Sequence, residues 1–231
     1  MAPALRSELP PHTIRRSARA KCVRVTVEHD GSVVVVLPQR SREREAEAAL
    51  RELGPWIARR RAEASARAAR MAIPAGTVPY LGTSLALVAE PGRTRVHRRG
   101  DELLVPATGP AQDSGLERWY RRRARAEVEP RLRAASEAVG RPFTKLTIRD
   151  QRTRWGSCST TGAMSFNWRL LLAPEEVLDY VVWHEACHLV HMDHSPRFWA
   201  LVAHHRPGYR APQRWLRANG AALHLARAAA S

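Results

Sequence analysis

Two histidines and a glutamate in the C-terminal part of the chain have a spacing that suits metal binding and acid–base chemistry. His184 and His188 lie four residues apart, and Glu185 directly follows the first of them. On a helix, residues four apart leave the same face one turn from each other, so both imidazoles can reach one tetrahedral zinc at ~2.0–2.1 Å. Glu185 then lies beside the metal without binding it, where it can take a proton from a water that zinc activates. The motif predicts a zinc site with Glu185 as the catalytic base.

His194 is the predicted third ligand. A catalytic zinc has three protein ligands and keeps an open position for water. His194 follows His188 by six residues, which is the spacing of metzincin-type sites. Those sites have a glycine where this chain has His191, so we expect Met192 and Asp193 to form the turn instead. His191 and Asp193 are the alternative third ligands, and we expect one zinc ion per chain.

A helix is predicted to carry this motif. Pro174 suits the first helical position, and Glu175 and Glu176 suit the positive end of the helix dipole. Cys187 lies between the two histidines, but a helical residue one position before His188 points elsewhere. We interpret Cys187 as a packed thiol of the core.

Near the N-terminus, alternating valines predict a hairpin. Residues 23–27 alternate valine with other side chains, and Asp30-Gly31 turns the chain into the apolar run 32–37. A helical pattern follows from residue 41 to residue 70, with a Gly-Pro break in the middle.

The rest of the chain alternates strands with one long helix. Strands are predicted at 78–88, 93–97, 102–105, 143–149 and 164–172. A stretch rich in Gly, Pro and Ser, 108–115, is the best domain boundary. The helix is predicted over 116–139 and is ended by Gly140. We therefore divide the chain into a flexible basic arm at 1–20, a strand-rich module with inserted helices at 21–110, and a catalytic domain at 111–225.

Cysteine usage and hydropathy indicate a cytoplasmic protein. Cys22, Cys158 and Cys187 are odd in number and widely separated, which is typical of reduced thiols and not of a disulfide framework. The N-terminus has no apolar segment of a secretory signal. Apolar runs such as residues 33–37 are far shorter than the ~20 residues of a membrane helix, so we expect no membrane association.

Four segments in one order resemble the YgjP-like metallopeptidases, a family of predicted metal-dependent hydrolases. They are 154–158 (RWGSC), 167–170 (NWRL), 184–188 (HEACH) and 194–199 (HSPRFW). The resemblance is strong over about residues 140–220 and looser in the N-terminal strands. The family is similar in its zinc core to SprT-like proteases, and the resemblance implies zinc on His184, His188 and His194.

The resemblance also implies an architecture. It predicts an α+β fold with a small zincin-like metallopeptidase core, next to the N-terminal β-rich module. The strand that contains Asn167 and Trp168 would line the cleft as an edge strand, with which an extended peptide could pair by strand addition.

Several polar side chains are candidates for contact with the substrate. Arg154 and Tyr209 could stabilise an oxyanion, although an arginine is more often a surface charge and a tyrosine more often packing. Asn167 could contact the substrate, or, like Asp179, orient a histidine ligand. The motif region is also crowded with aromatic residues, which could line a cleft but which we interpret as a core that braces the metal helix. They are Trp155, Trp168, Trp183, Phe198 and Trp199.

The chain carries a formal net charge of +16 over 231 residues. Such a charge favours an anionic partner, either nucleic acid or a nucleotide. The alternative is genome composition, because only Lys21 and Lys145 of the 38 basic residues are lysines, a preference typical of GC-rich genomes.

Three functions are compatible with these patterns. The first is a zinc metallopeptidase that cleaves peptide bonds. The second is a zinc-dependent phosphohydrolase, such as a pyrophosphatase, that acts on nucleoside triphosphates. The third is a nucleic-acid-associated protein with a structural zinc. A structural zinc usually has four protein ligands, so three good ligands beside a general base favour a hydrolase, and a peptidase most.

Overall fold

Contacts along the chain divide it into two units, Met1–Ala72 and Ile73–Ser231. The computed structural model describes residues 9–28, 31–70, 74–107, 110–151 and 153–225. Both units combine helices with sheets, which confirms the α+β class. The division at residue 72 differs in position from the boundary near residue 110 that the sequence favours, and the division into domains at 21–110 and 111–225 stays a prediction.

The first unit is a three-stranded sheet with two helices. Its elements are β1 (His12–Ser17), β2 (Arg24–Val27), β3 (Val33–Pro38), α1 (Glu43–Glu52) and α2 (Gly54–Arg70). β3 is the central strand, with β1 parallel to it and β2 antiparallel. The predicted hairpin is therefore confirmed for β2 and β3, although Asp30 of its turn lies outside the described residues.

The expectation of a loose arm at 1–20 is wrong for residues 12–17. This segment has little apolar patterning, but β1 pairs with β3 along its whole length through backbone hydrogen bonds. Residues 1–8 lie outside the described residues.

The core of the first unit follows from the alternation of β3. Its side chains are buried at every second position, starting at Val33. These buried side chains pack with Ala46 and Leu50 of α1 and with Ile57 of α2. One face of the sheet is thus covered by the helices.

The second unit contains two sheets. The first consists of β4 (Thr77–Tyr80), β5 (Thr83–Ala89), β6 (His97–Arg99) and β7 (Glu102–Val105), in the order β4-β5-β7-β6. The second consists of β8 (Lys145–Arg149), β9 (Gly156–Cys158) and β10 (Ala163–Asn167), in the order β8-β10-β9. β10 runs parallel to β8 and antiparallel to β9.

Three strand predictions need correction. The strand expected at 78–88 is interrupted at Leu81 and Gly82, whose positive φ angles of 48° and 85° turn the chain between β4 and β5. Of residues 93–97, only His97 belongs to a strand, β6. The strand expected at 164–172 ends at Asn167, whose side chain accepts a hydrogen bond from the N–H of Arg169 and so begins a 3-10 helix.

The helices of the second unit surround the metal motif. They are α3 (Pro110–Ala138), the 3-10 helix Trp168–Leu172, α4 (Glu175–Cys187), α5 (Pro196–His205) and α6 (Arg210–Leu225). α4 contacts α3, α5, α6 and β9. No helix in the described part of the chain is both long and apolar enough to cross a membrane.

Candidate metal centre

Helix α4 positions the metal motif in the interior of the second unit. Nine of its residues are buried, so almost every side of the helix faces other elements. The helix begins at Glu175, one position later than predicted, because Pro174 has an extended backbone and precedes it. Glu175 and Glu176 occupy the first turn, where carboxylates interact favourably with the helix dipole.

His184 and His188 share one face at the end of this helix. α4 ends at Cys187, but His188 keeps a right-handed helical backbone, with φ −68° and ψ −16°. The ring centroids of His184 and His188 are therefore only 4.9 Å apart. Nδ1 of His188 donates a hydrogen bond of 2.8 Å to the carbonyl oxygen of His191. This bond fixes the ring and leaves Nε2 as the unprotonated nitrogen of His188.

The turn after α4 brings His194 back to the same place. Nε2 of His194 lies 3.1 Å from Nε2 of His184. Ligand atoms of His184, His188 and His194 all lie within 4.8 Å of one another. Two nitrogens on one tetrahedral zinc, with bonds of ~2.0–2.1 Å, would be about 3.3 Å apart. The three imidazoles thus form a group that could hold a metal ion.

The lowered pKa values of His184 and His188 fit a ligand role. Burial, together with the charges of His188 and His194, lowers the pKa of His184 to about 3. Burial also lowers the pKa of His188. Nδ1 of His184 is buried and has no hydrogen-bond partner among the described residues. Neutral imidazoles that converge in this way are good donors for zinc and related divalent cations.

The alternative third ligands have other contacts. His191 contributes its backbone carbonyl, which accepts the hydrogen bond from His188. The carboxylate of Asp193 accepts a hydrogen bond of 3.2 Å from the backbone N–H of Ser195, the residue that caps α5. Neither side chain belongs to the group of three imidazoles.

Phe198 packs against all three imidazoles. It is fully buried, and its ring stacks on His188 with centroids 4.3 Å apart. Its centroid lies 4.9 Å from those of His184 and His194. Cys187 is buried in a core cluster with Phe198, as its interpretation as a packed thiol requires. Contact with the ring of Phe198 therefore restricts the positions of the three imidazole rings.

The other aromatic residues of the motif region fall into two groups. Trp168 is buried against Tyr120, and Trp183 stacks on His205, so both are core residues. Trp155 lines the cavity at the histidines. Trp199 packs against the core cluster of Phe198. The interpretation as bracing core thus describes Trp168, Trp183 and Trp199, whereas Trp155 is part of a cleft.

Glu185 lies between the metal helix and strand β9. Its side chain is only 7% exposed. Burial raises its pKa to about 8, although the charge of Arg154 and a hydrogen bond from the backbone of Cys158 oppose this rise. A Cβ atom at Gly156 would lie only 2.6 Å from Cγ of Glu185 and 2.7 Å from its Oε1. The absence of a side chain at Gly156 is what lets the carboxylate lie against the strand.

A cavity of about 560 Å³ opens at these residues. Its lining includes the three histidines, Glu185, Arg154 and β9. Of the predicted substrate contacts, only Arg154 lines this cavity. Tyr209 lines a neighbouring cavity, and Asn167 lines neither.

The predicted orienting partners of the histidines are wrong. Asn167 donates its hydrogen bond to the carbonyl oxygen of Gln151. Asp179 forms a two-fold ion pair with Arg206. Neither bond reaches a histidine, and the partner that the structure gives to His188 is a backbone carbonyl.

The predicted edge strand also needs correction. β10, which ends at Asn167, is the central strand of its sheet, and β9 is at the edge. β9 lies in the lining of the cavity. Strand order depends on contacts between distant segments, and hydropathy along one strand does not contain this information.

Tyr180 and Gly156 are among the residues of the site that were not predicted from the sequence. Tyr180 lines the cavity and lies one helical turn before His184, a spacing that could have identified it. Gly156 contacts Glu185. The sequence indicated this residue only as part of segment 154–158, which resembles the family.

Comparison with known proteins gives one match. Residues 21–219 match a protein-family model described as YgjP-like, metallopeptidase domain. No curated protein and no solved structure matches the chain.

Proposed function

The chain belongs to the YgjP-like metallopeptidase family, and we propose that it is a zinc peptidase with Glu185 as its general base. The family indicates a metal-dependent hydrolase. The observation that carries the finer proposal is the convergence of three imidazoles, a buried carboxylate and an edge strand on one cavity.

His184, His188 and His194 would hold the metal. Three imidazole ligands leave a fourth position open, which is the arrangement of catalytic and not of structural zinc. When bound, zinc lowers the pKa of water and polarises a carbonyl group. Phe198 and the carbonyl of His191 keep the ligand rings in the geometry that binding requires.

Glu185 would move the proton. Glu185 lines the cavity and does not belong to the group of side chains that could hold a metal ion, which supports this role. There it would accept the proton of the attacking water and later donate it to the leaving amine. A bound cation would favour the ionised form of this buried carboxyl group, which is the form that a base needs.

An extended peptide would bind along β9. This strand is at the edge of the described sheet and lines the cavity beside Glu185. The backbone of Cys158 already donates a hydrogen bond to Glu185, so a peptide would pair with the other outward-facing backbone groups of β9. Backbone pairing with β9 would hold the scissile carbonyl near the histidines. Arg154 lines the same cavity and would stabilise negative charge on the carbonyl oxygen.

Metal content and peptide cleavage test this proposal together. We expect about one zinc per chain in the wild type, most of which is lost in His194→Ala. Glu185→Gln should keep its zinc but lower kcat by about 10²- to 10⁴-fold, because it removes the base alone. His204→Ala, an exposed histidine on α5 outside the group of three, is the matched control and should change neither. Full activity in Glu185→Gln, or zinc retained by His194→Ala, would contradict the proposed site.

A phosphohydrolase is the second candidate function. Arg154 in the cavity favours it, because a guanidinium can hold a phosphate by two hydrogen bonds. Nucleoside triphosphates should therefore be screened beside the peptides. Hydrolysis of triphosphates without peptide cleavage, abolished in Glu185→Gln, would establish this function instead.

A further inference from the structure

A second cavity, larger than the one at the histidines, lies next to it. Its volume is about 810 Å³, against about 560 Å³ for the cavity at the histidines. It is formed by the beginning of α4, the end of α5 and the beginning of α6. Nothing in the proposed metal chemistry uses this space.

The walls of this second cavity are mainly apolar and aromatic. They include Val177, Tyr209 and Trp215. The charged groups among the lining residues are largely paired with each other or with neighbours. Asp179 pairs with Arg206, and Glu175 pairs with an arginine of α3. Glu176 also lines the cavity, but it is exposed to solvent. A ligand would therefore meet mainly apolar surface, which suits an apolar side chain.

One aromatic residue is shared by the walls of the two cavities. Tyr180 lines both of them. It is stacked on Tyr209, with ring centroids 6.5 Å apart, and Tyr209 is stacked in turn on Trp199. The ring of Trp199 lies 5.7 Å from that of His194, so a continuous row of rings leads from the second cavity to the metal ligands.

The spacing of residues along α4 gives the distance between the second cavity and His184, which can be compared with the length of an extended peptide. Val177 and Asp179 line the second cavity and precede His184 by seven and five residues. At a rise of 1.5 Å per residue, they lie roughly 8–11 Å from it along the helix axis. An extended peptide covers this distance in about two or three residues.

We propose that the second cavity is a specificity pocket for a bulky apolar side chain of the substrate, two or three residues away from the scissile bond. The occupant is an aromatic or large aliphatic side chain. This inference rests on the proposed peptidase function, because that function places the scissile bond at the histidines.

Filling the pocket tests the inference. Ala211 is an exposed residue of α6 that lines the second cavity, and Ala211→Trp would occupy the space. Ala218→Trp makes the same change at an exposed residue of the same helix outside the lining. Both variants are compared with the wild type on peptides that carry phenylalanine or alanine at each position in turn.

We expect the wild type to favour phenylalanine at one position, two or three residues from the cleaved bond, by about 10- to 100-fold in kcat/KM. In Ala211→Trp the ratio between the two peptides should fall to about one, whereas Ala218→Trp should keep it. An unchanged ratio in Ala211→Trp, an equal loss in both variants, or no preference in the wild type would overturn the pocket.

A binding measurement separates this inference from the proposed function. The same phenylalanine and alanine peptides are titrated calorimetrically into zinc-loaded Glu185→Gln protein, with and without Ala211→Trp. Preferential binding of the phenylalanine peptide that Ala211→Trp abolishes supports the pocket even if the wild type cleaves no peptide. Cleavage without any such preference refutes the pocket and leaves the peptidase proposal intact. If the protein neither cleaves nor binds these peptides, both the pocket and the peptidase proposal are overturned.

Discussion

At the scale of single residues, the contact between Gly156 and Glu185 links the strand edge to the proposed chemistry. The side chain of Glu185 lies where the Cβ atom of any other residue at position 156 would be. Since Gly156 belongs to β9, which pairs with β10, the strand cannot retreat without breaking part of this pairing. The carboxylate would have to give way instead.

We therefore expect Gly156→Ala to displace Glu185 and to lower kcat/KM by about 10²-fold or more, as misplacement of a catalytic group by about 1 Å does. Zinc content should stay close to that of the wild type, because the close contact involves the carboxylate and not the histidines. Gly54→Ala is the control, since a Cβ atom at that position meets nothing within 4 Å. Wild-type kinetics in Gly156→Ala would show that the carboxylate does not lie against β9.

At the scale of elements, an ion-pair network attaches α4 to α3 and β4. Glu127 of α3 accepts hydrogen bonds from Tyr80 of β4 and from Arg123 and Arg131 of its own helix. Arg131 also pairs with Glu175, in the first turn of α4. The beginning of the metal helix is thus connected to two other elements through one carboxylate.

The pKa of Glu127 is lowered in the folded protein. Burial acts in the opposite direction, but hydrogen bonds from Tyr80 and Arg131 and the charges of Arg131 and Arg123 outweigh it. A carboxylate with a lowered pKa stabilises the fold above its ordinary pKa of about 4.3, and this contribution disappears as the pH falls through the folded value.

Glu127→Gln should accordingly lower the free energy of unfolding by roughly 1–2 kcal/mol near neutral pH. The difference from the wild type should begin to shrink at about pH 4.3, where the carboxyl group of the unfolded chain becomes protonated, and should disappear below the lowered pKa of Glu127 in the folded protein. Urea unfolding of the wild type and the variant, at neutral pH and at a pH below about 4, measures the difference in the free energy of unfolding. Glu129→Gln, which removes a more exposed partner of arginines on the same helix, should have little effect at either pH. A difference for Glu127→Gln that does not depend on pH would show that its charge plays no part.

Also at this scale, the local elements were more predictable than their arrangement. The spacing of His184 and His188, with two glutamates at the helix start, was sufficient to predict α4 as the carrier of the site. The edge position of β9 was not predictable, because it follows from the pairing of β10 with β8 and β9 across a gap in sequence. The pairing of Asp179 with Arg206 likewise joins α4 to a residue far along the chain. Such contacts have no local pattern, and Asp179 was therefore predicted to have a different partner.

At the scale of the whole molecule, the net charge of +16 is the feature that the proposed peptidase site does not use. In the first unit, one face of the sheet carries part of this positive charge. In its sheet, Arg15, Val36 and Arg24 form one row across β1, β3 and β2. Because side chains alternate between the faces of a strand, this row lies on the face opposite the core residues Ile14 and Val35. Both arginines are exposed.

From this row we propose that the sheet binds an anionic polymer, since two exposed arginines on one face can neutralise phosphates of single-stranded nucleic acid. The wild type should bind a short oligonucleotide with an affinity that falls as the salt concentration rises. Arg15→Gln with Arg24→Gln should weaken binding and reduce the slope of log K against log salt by about 1 for each phosphate that is no longer neutralised. Arg51→Gln with Arg60→Gln removes the same charge from ion-paired positions on α1 and α2 and should have a smaller effect. Equal reductions in the two double variants would mean that only the total charge matters for binding. If the wild type shows no salt-dependent binding, the high arginine content is explained by genome composition and not by an anionic partner.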